Sequence, residues 1–139
     1  MDPRPTWDEW GLAGAAWVAS RADCTRRQVG AVLIDGGHRV VATGYNGAPA
    51  GDPGCLTASA CPRGRMSVEA VEPGSSYDTG AGACIALHAE QNAIIRASHL
   101  DMLGATLYVT DEPCGGCWRM IQGTPIARVV WPSGNRSMK

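Results

Sequence analysis

The chain has 139 residues, enough for one domain around one hydrophobic core. Hydrophobic residues make up 45%, charged residues only 18%, and Phe is absent, so Trp, Leu, Ile, Val and Ala have to build that core. No apolar run approaches the roughly 20 residues of a membrane span, and the net charge of −1 argues against a protein that grips nucleic acid mainly through phosphates.

In chain order, the opening MDPRPTWDEW carries no apolar leader, which reads as a cytoplasmic protein. Six cysteines in that compartment point to metal or catalysis rather than disulfides. Thr6 with Glu9 three residues on is a capping-box pattern, and Trp7, Trp10, Gly14 and Trp17 then recur at helical spacing. The spacing predicts a helix from about Thr6 to Ala22 with its tryptophans on the core. VGAVLID (29–35) and RVVATGY (39–45) read as two strands, and Asp35, Gly36 and Gly37 between them supply a tight turn, so the pair forms a predicted hairpin. Both strands are apolar on both faces at several positions, which places them in a covered, central sheet.

Residues 46–83 show no periodicity and are rich in Gly, Pro, Ser and Ala. A stretch this long in a small domain calls for a function, a metal clip or disorder, with GSSYDTGAG (74–82) its most mobile part. A helix is then expected over 87–98, a strand at ATLYVT (105–110), a helix from about Cys114 to Gly123, and a strand at ARVVWP (127–132). That order implies parallel pairing with right-handed crossovers, and hence a single α/β layered domain over 1–139.

LHAEQNAII (87–95) poses a problem of geometry. In mid-helix, His88 and Glu90 would point about 200° apart. At a helix start the chain is not yet committed to those angles, and both side chains can face one ion. DEPCGGCWRMI (111–121) supplies the rest. Pro113 suits a helix start, and Cys114 and Cys117 three residues later form a zinc half-site at the positive end of the helix dipole. His88 completes three protein ligands and leaves a fourth position open for water, whose pKa the metal lowers. Glu90 then takes the proton from that water and delivers it to a leaving nitrogen, with hydroxide attacking an electrophilic carbon. Gly115 and Gly116 leave room for a substrate. A redox pair is the other reading of a CxxC spacing, and His38 and His99 read as ordinary core or surface histidines. His88-Ala89-Glu90 with Pro113-Cys114-Gly115-Gly116-Cys117 resembles the H-x-E…P-C-x-x-C signature of zinc nucleobase deaminases.

RPTWDEW, CTRRQVGAVLI, GYNGAPAGDPGC, HAEQNAII, ATLYVT and PCGGC, in that order, resemble deoxycytidylate (dCMP) deaminases of the cytidine deaminase superfamily over about residues 4 to 131. The resemblance implies a three-layer α/β/α cytidine-deaminase-like fold with a mixed sheet of four to five strands. It implies conversion of dCMP and water to dUMP and ammonia, by zinc-bound hydroxide attacking C4 with Glu90 shuttling protons. Asn46 would contact the sugar, and Ala89 would offer its backbone N–H to the pyrimidine carbonyl. Regulation by dCTP with Mg2+ and by dTTP, and assembly into homo-oligomers from dimer to hexamer, are family traits. A phosphate needs positive charge and N–H donors; Arg26 and Arg27 are candidates, and Tyr45 either stacks or packs.

Some members of that family hold a second, structural zinc. Cys24, Cys55, Cys61 and Cys84 would make a closed tetrahedral site that clips the long loop to its flanks; reduced, buried thiols are the alternative. Three features depart from the family: Gly54 stands where a histidine is common, 62–83 is long and irregular, and Lys139 follows soon after the fourth strand. The last leaves a sheet edge either open or covered by a neighbouring subunit. Other readings are deamination of CMP, cytidine or a modified pyrimidine, of a tRNA adenosine, or a zinc module that turns nothing over. The net charge counts against tRNA, and Glu90 against the last.

Overall fold

The computed structural model describes residues 1–138. Helix α1 (Trp7–Ala19) starts as the capping pattern requires: Thr6 Oγ1 accepts from the Glu9 N–H at 3.1 Å, and the Glu9 carboxylate accepts from the Thr6 N–H at 2.8 Å. Its buried face, however, is not the tryptophan face. Gly11, Ala15, Val18 and Ala19 meet the sheet, whereas Trp7, Trp10 and Trp17 are 52%, 41% and 78% exposed. The cause is close approach. A Cβ at Gly11 would lie 2.6 Å from the Tyr108 ring, and one at Gly30 would collide with the Ala15 carbonyl. Only the stripe of small residues fits that spacing, so the tryptophans turn outward, where Trp7 stacks on His38 with centroids 3.9 Å apart.

Strands β1 (Gly30–Ile34) and β2 (Val40–Tyr45) form the expected antiparallel hairpin, with Gly30 opposite Tyr45 and an irregularity between Leu33 and Ile34. Its turn is closed by hydrogen bonds between Asp35 and Arg39, and the positive φ falls on His38 at 63° rather than on Gly36 or Gly37. The irregular stretch that follows is pinned by short elements: α2 (Cys55–Ala58), α3 (Pro62–Arg65) and a 3-10 turn at Val68–Ala70. Asp23 caps α2 from outside, its carboxylate accepting from the N–H groups of Leu56 and Thr57 and from Thr57 Oγ1.

Helices α4 (Ala89–Arg96) and α5 (His99–Met102), β3 (Thr106–Val109), α6 (Gly115–Gln122), β4 (Arg128–Trp131) and β5 (Gly134–Ser137) complete the chain. The sheet order is β2-β1-β3-β4-β5. The β3–β4 pair is parallel and the other pairs are antiparallel. It follows that β2 and β3 run the same way with β1 between them, and α4 and α6 are the crossovers. The fold is the three-layer α/β arrangement with a five-stranded mixed sheet. Of the four to five strands expected, the sheet has five: GNRS pairs antiparallel to β4 and takes over the sheet edge expected to be open or covered by a neighbouring subunit. Its residues are polar and largely exposed, so no apolar alternation marked them.

Alternation along the strands divides the core. Ala31, Leu33, Leu107, Val109 and Val129 pack with Ala89 and Ala93 of α4 and Ile121 of α6. Val32, Ile34, Tyr108 and Val130 pack with Ala15 and Val18 of α1. On the α1 side, Asp8 accepts from the Tyr108 hydroxyl at 2.9 Å and pairs in a two-point contact with Arg128, tying the helix to β3 and β4.

Candidate metal centre

The carboxyl ends of β2 and β3 and the amino end of β1 share one edge of the sheet, because β1 runs against both. Crossover helices begin at that edge, which is where open α/β sheets present their ligand crevice. Topology thus brings together four segments far apart in sequence: 24–29 before β1, 46–47 after β2, the start of α4, and 110–117 after β3.

His88 is the N-cap of α4, with φ −71° and ψ 158°, and lies outside the helix proper. The Gln91 side chain accepts from its N–H at 2.7 Å, so the backbone of the cap is held in place. Cys114 is likewise the N-cap of α6, at φ −71° and ψ 169°. The extended cap conformations resolve the geometric problem posed by the sequence, since His88 and Glu90 are not both on helical angles. His88 Nδ1 lies 3.6 Å from Cys114 Sγ and 3.3 Å from Cys117 Sγ. The three donor atoms lie within 4.8 Å of one another.

The donors suit a soft divalent cation such as zinc: one imidazole and two thiols, with two of the three residues exposed and one buried. The state of Cys117 makes the same point. Burial, then the negative charges of Glu90 and Cys114, push its thiol far up. A cation bound between the three donors would favour the thiolate form of Cys117. Glu90 is 4% exposed and lines the same cavity as His88 and Cys114. A buried carboxylate therefore sits beside the donors without being one of them.

A cavity of about 510 Å³ opens from this point and is lined by His88, Ala89, Glu90, Cys114, Asn46, Arg26 and Arg27 among others. Asn46 Oδ1 accepts from the Val29 N–H at 2.8 Å and Nδ2 donates to the Arg27 carbonyl at 3.0 Å. This leaves one N–H and one lone pair for a ligand. Gly44 sets the height of α4 over the sheet, because a Cβ there would collide with the Ala89 carbonyl and the Ala93 N–H. A Cβ at Gly115 would meet nothing within 4 Å, so that side of the site is open.

The model of the cytidine and deoxycytidylate deaminase zinc-binding region matches residues 5–133. The chain belongs to this family. It is 51% identical over 129 residues to the deoxycytidylate deaminase of Mycobacterium phage D29, covering 93% of this chain and 96% of that one. It is 39% identical to the deoxycytidylate deaminase of Schizosaccharomyces pombe over 92% of this chain, but spans only 37% of that longer protein. Among solved structures, the dCMP deaminase of cyanophage S-TIM5 in complex with dCMP and dUMP shares the fold, with a TM-score of 0.62 at 24% identity over 94% of this chain and 83% of that one. Zinc is thus the metal of the family, and the three donors are of the kind it takes.

Not every candidate of this deaminase chain comes to the cavity. Tyr45 packs with the α1-side core and lines a separate hollow with Arg21, Asp23 and Asp52. Arg27 is engaged by Asp111 at 2.6 Å, and Arg26 Nη2 donates to the carbonyls of Arg63 and Met66. Cys24, Cys55, Cys61 and Cys84 all line the cavity and carry no disulfide. The N–H groups of Arg26, Gly64 and Ala86 point at Sγ of Cys24, Cys61 and Cys84 at 3.4 to 3.5 Å. Burial raises the thiols of Cys55 and Cys84; at Cys61 burial is outweighed by the N–H donors of Ile85 and Gly64 and by the neighbouring thiols. Among the described residues, the tight three-donor geometry occurs at His88, Cys114 and Cys117 and not at these four. The sequence reading passed over Arg63 and Tyr77, which also line the cavity. They lie in the stretch without periodicity, where no pattern tells a buried arginine from a solvated one.

Proposed function

We propose that this chain catalyses the hydrolytic deamination of dCMP to dUMP and ammonia. The observation that carries the reading is the placement of Glu90, a buried carboxylate beside three convergent metal donors at the floor of a cavity whose wall carries arginines. The high identity to the phage D29 enzyme along almost its full length supports the choice of substrate.

His88, Cys114 and Cys117 hold zinc, which when bound supplies a Lewis acid that makes water a nucleophile near neutral pH. The chain's own groups do the rest. Glu90 accepts a proton from the water and passes it to N3 of the cytosine ring as the C4–O bond forms. It then carries the remaining hydroxyl proton to N4 as the C4–N4 bond breaks, and ammonia leaves. The Ala89 N–H, at the unpaired amino end of α4, holds the ring carbonyl. The free N–H and lone pair of Asn46 take a sugar hydroxyl. Arg26 and Arg27 provide positive charge towards the phosphate.

A second, structural zinc among Cys24, Cys55, Cys61 and Cys84 is part of this proposal, supported by the four cysteines lining one cavity and the N–H groups aimed at three of their sulfurs. We also take the protein to be a cytoplasmic homo-oligomer, in keeping with its exposed tryptophans; no helix among the described residues is long and apolar enough to cross a membrane.

The test is mass balance: zinc-loaded protein given dCMP should release dUMP and ammonia in equal amounts. Fully metallated protein that releases neither overturns the proposal.

A further inference from the structure

The described residues bury two charged side chains, Glu90 and Arg63, and both line the same cavity. The proposed chemistry uses Glu90 and leaves Arg63 without a task. Arg63 is 7% exposed, yet among the described residues no carboxylate lies within ion-pair distance of it, in contrast to Arg4, Arg27, Arg39 and Arg128. Its bonds run to neutral groups. Nη1 and Nη2 donate to Ser75 Oγ at 3.1 and 3.0 Å, Nη2 donates also to the Ser75 carbonyl at 3.3 Å, and the guanidinium lies 4.0 Å above the Tyr77 ring.

A buried cation held by neutral partners is costly unless an anion completes it. Ser75 and Tyr77 fix the plane of the guanidinium but leave its charge intact. Of five N–H donors, three are used. Nε makes no bond among the described residues and is not fully buried, since no buried side-chain nitrogen lacks a partner. The nearby carboxylates do not serve: Asp111 is held by Arg27, and Glu72 and Glu112 line the cavity beyond ion-pair distance of Arg63. Arg26 donates to the carbonyl of Arg63 itself, so a second guanidinium stands at the same wall.

We propose that Arg63, braced by Ser75 and Tyr77, is a specificity-determining residue that binds the phosphate of the substrate and sets the preference for nucleotide over nucleoside. This rests on the reading of the cavity as a cytosine nucleotide site. It gives the irregular 62–83 segment its function: to carry a pre-oriented cation to the cavity wall.

The experiment measures binding, not turnover. Zinc-loaded wild type and Arg63→Gln are titrated calorimetrically with dUMP and with deoxyuridine, neither of which reacts. In Arg63→Gln the ratio of the two affinities should fall about 30-fold, the scale of a lost hydrogen bond to a charged group, and Arg63→Lys should restore part of it. Equal loss of both affinities would mark a purely structural arginine, and an unchanged ratio would likewise overturn the assignment. Should Arg63→Gln fail to fold, Tyr77→Ala decides, since that ring is 56% exposed: the ratio should fall, and an unchanged ratio counts against the proposal. Arg63-dependent binding of dUMP by a protein that releases no ammonia from dCMP would retire the proposed reaction and keep this assignment. Turnover of dCMP with a ratio indifferent to Arg63 would do the reverse.

Discussion

His88 Nδ1 lies 3.3 Å from Cys117 Sγ across 29 positions of sequence. Neither residue is brought there by its own helix alone. The imidazole projects from the cap of α4 and the thiol from the first turn of α6, and the two helices meet because β2 and β3 end at the same edge of the sheet. The three donor atoms lie within 4.8 Å of one another, so the loss of one leaves an incomplete set for the metal. Cys117→Ser should therefore abolish both bound catalytic metal and activity. Elemental analysis should find one zinc per chain fewer than in wild type, which under the two-site proposal holds two. A fully metallated and active serine variant would refute the ligand assignment.

Glu90→Gln separates metal binding from chemistry. Gln keeps the shape and fills the same buried space but cannot accept a proton. Zinc content and melting temperature should stay near those of wild type, while turnover of dCMP falls by about 10²–10⁴-fold, the usual reach of general acid–base catalysis. Wild-type rates in this variant would remove Glu90 from the mechanism.

Much of this centre was legible in the sequence because its ligands sit at helix starts, and helix starts are written locally: Pro113 before a CxxC, and His88 before an apolar helical run. The hairpin and the crossover order were legible for the same reason. What failed was decided by partners distant in sequence. The tryptophans of α1 and the stripe of Gly11, Ala15 and Ala19 compete for the core, and the contest is settled by Gly30 and Tyr108 across the interface. Strand β5 is held by pairing with β4 and has no apolar signature. Arg63 is buried by Ser75 and Tyr77, more than ten positions away, in a segment with no period to read.

Gly44 links fold to site. A methyl group there would strike the backbone of α4 at Ala89 and Ala93, and backbone cannot yield as a side-chain tip can. Gly44→Ala should destabilise the protein by about 3 kcal/mol and lift the start of α4, lowering activity further than the lost stability explains. Denaturant unfolding and steady-state rates check both; a variant with unchanged midpoint and rate would show that α4 does not need this contact.

The acid limb of stability should report Asp8. The Arg128 guanidinium, against some burial and with help from the Tyr108 hydroxyl, holds its carboxyl below the usual range. A carboxyl depressed in the folded state stabilises fully above its unfolded value, near 3.9, and loses that contribution as pH falls through the folded value. Because the Asp8 and Arg128 side chains are 39% and 34% exposed, the contribution is about 1 kcal/mol after solvent screening. Asp8→Asn should be less stable than wild type at pH 7 by that amount, and the difference should shrink as pH falls below the ordinary carboxylate range and disappear once Asp8 is protonated in the folded state. A gap that persists into acid would mean the hydrogen bonds, not the charge, do the holding.

The central claim is that the cavity deaminates a phosphorylated cytosine nucleoside. The most direct measurement is ammonia release by zinc-loaded protein from dCMP, CMP, deoxycytidine and cytidine in parallel. The account predicts the highest kcat/KM for dCMP, with deoxycytidine well below it. Equal rates on deoxycytidine and dCMP, or silence on all four, would contradict it.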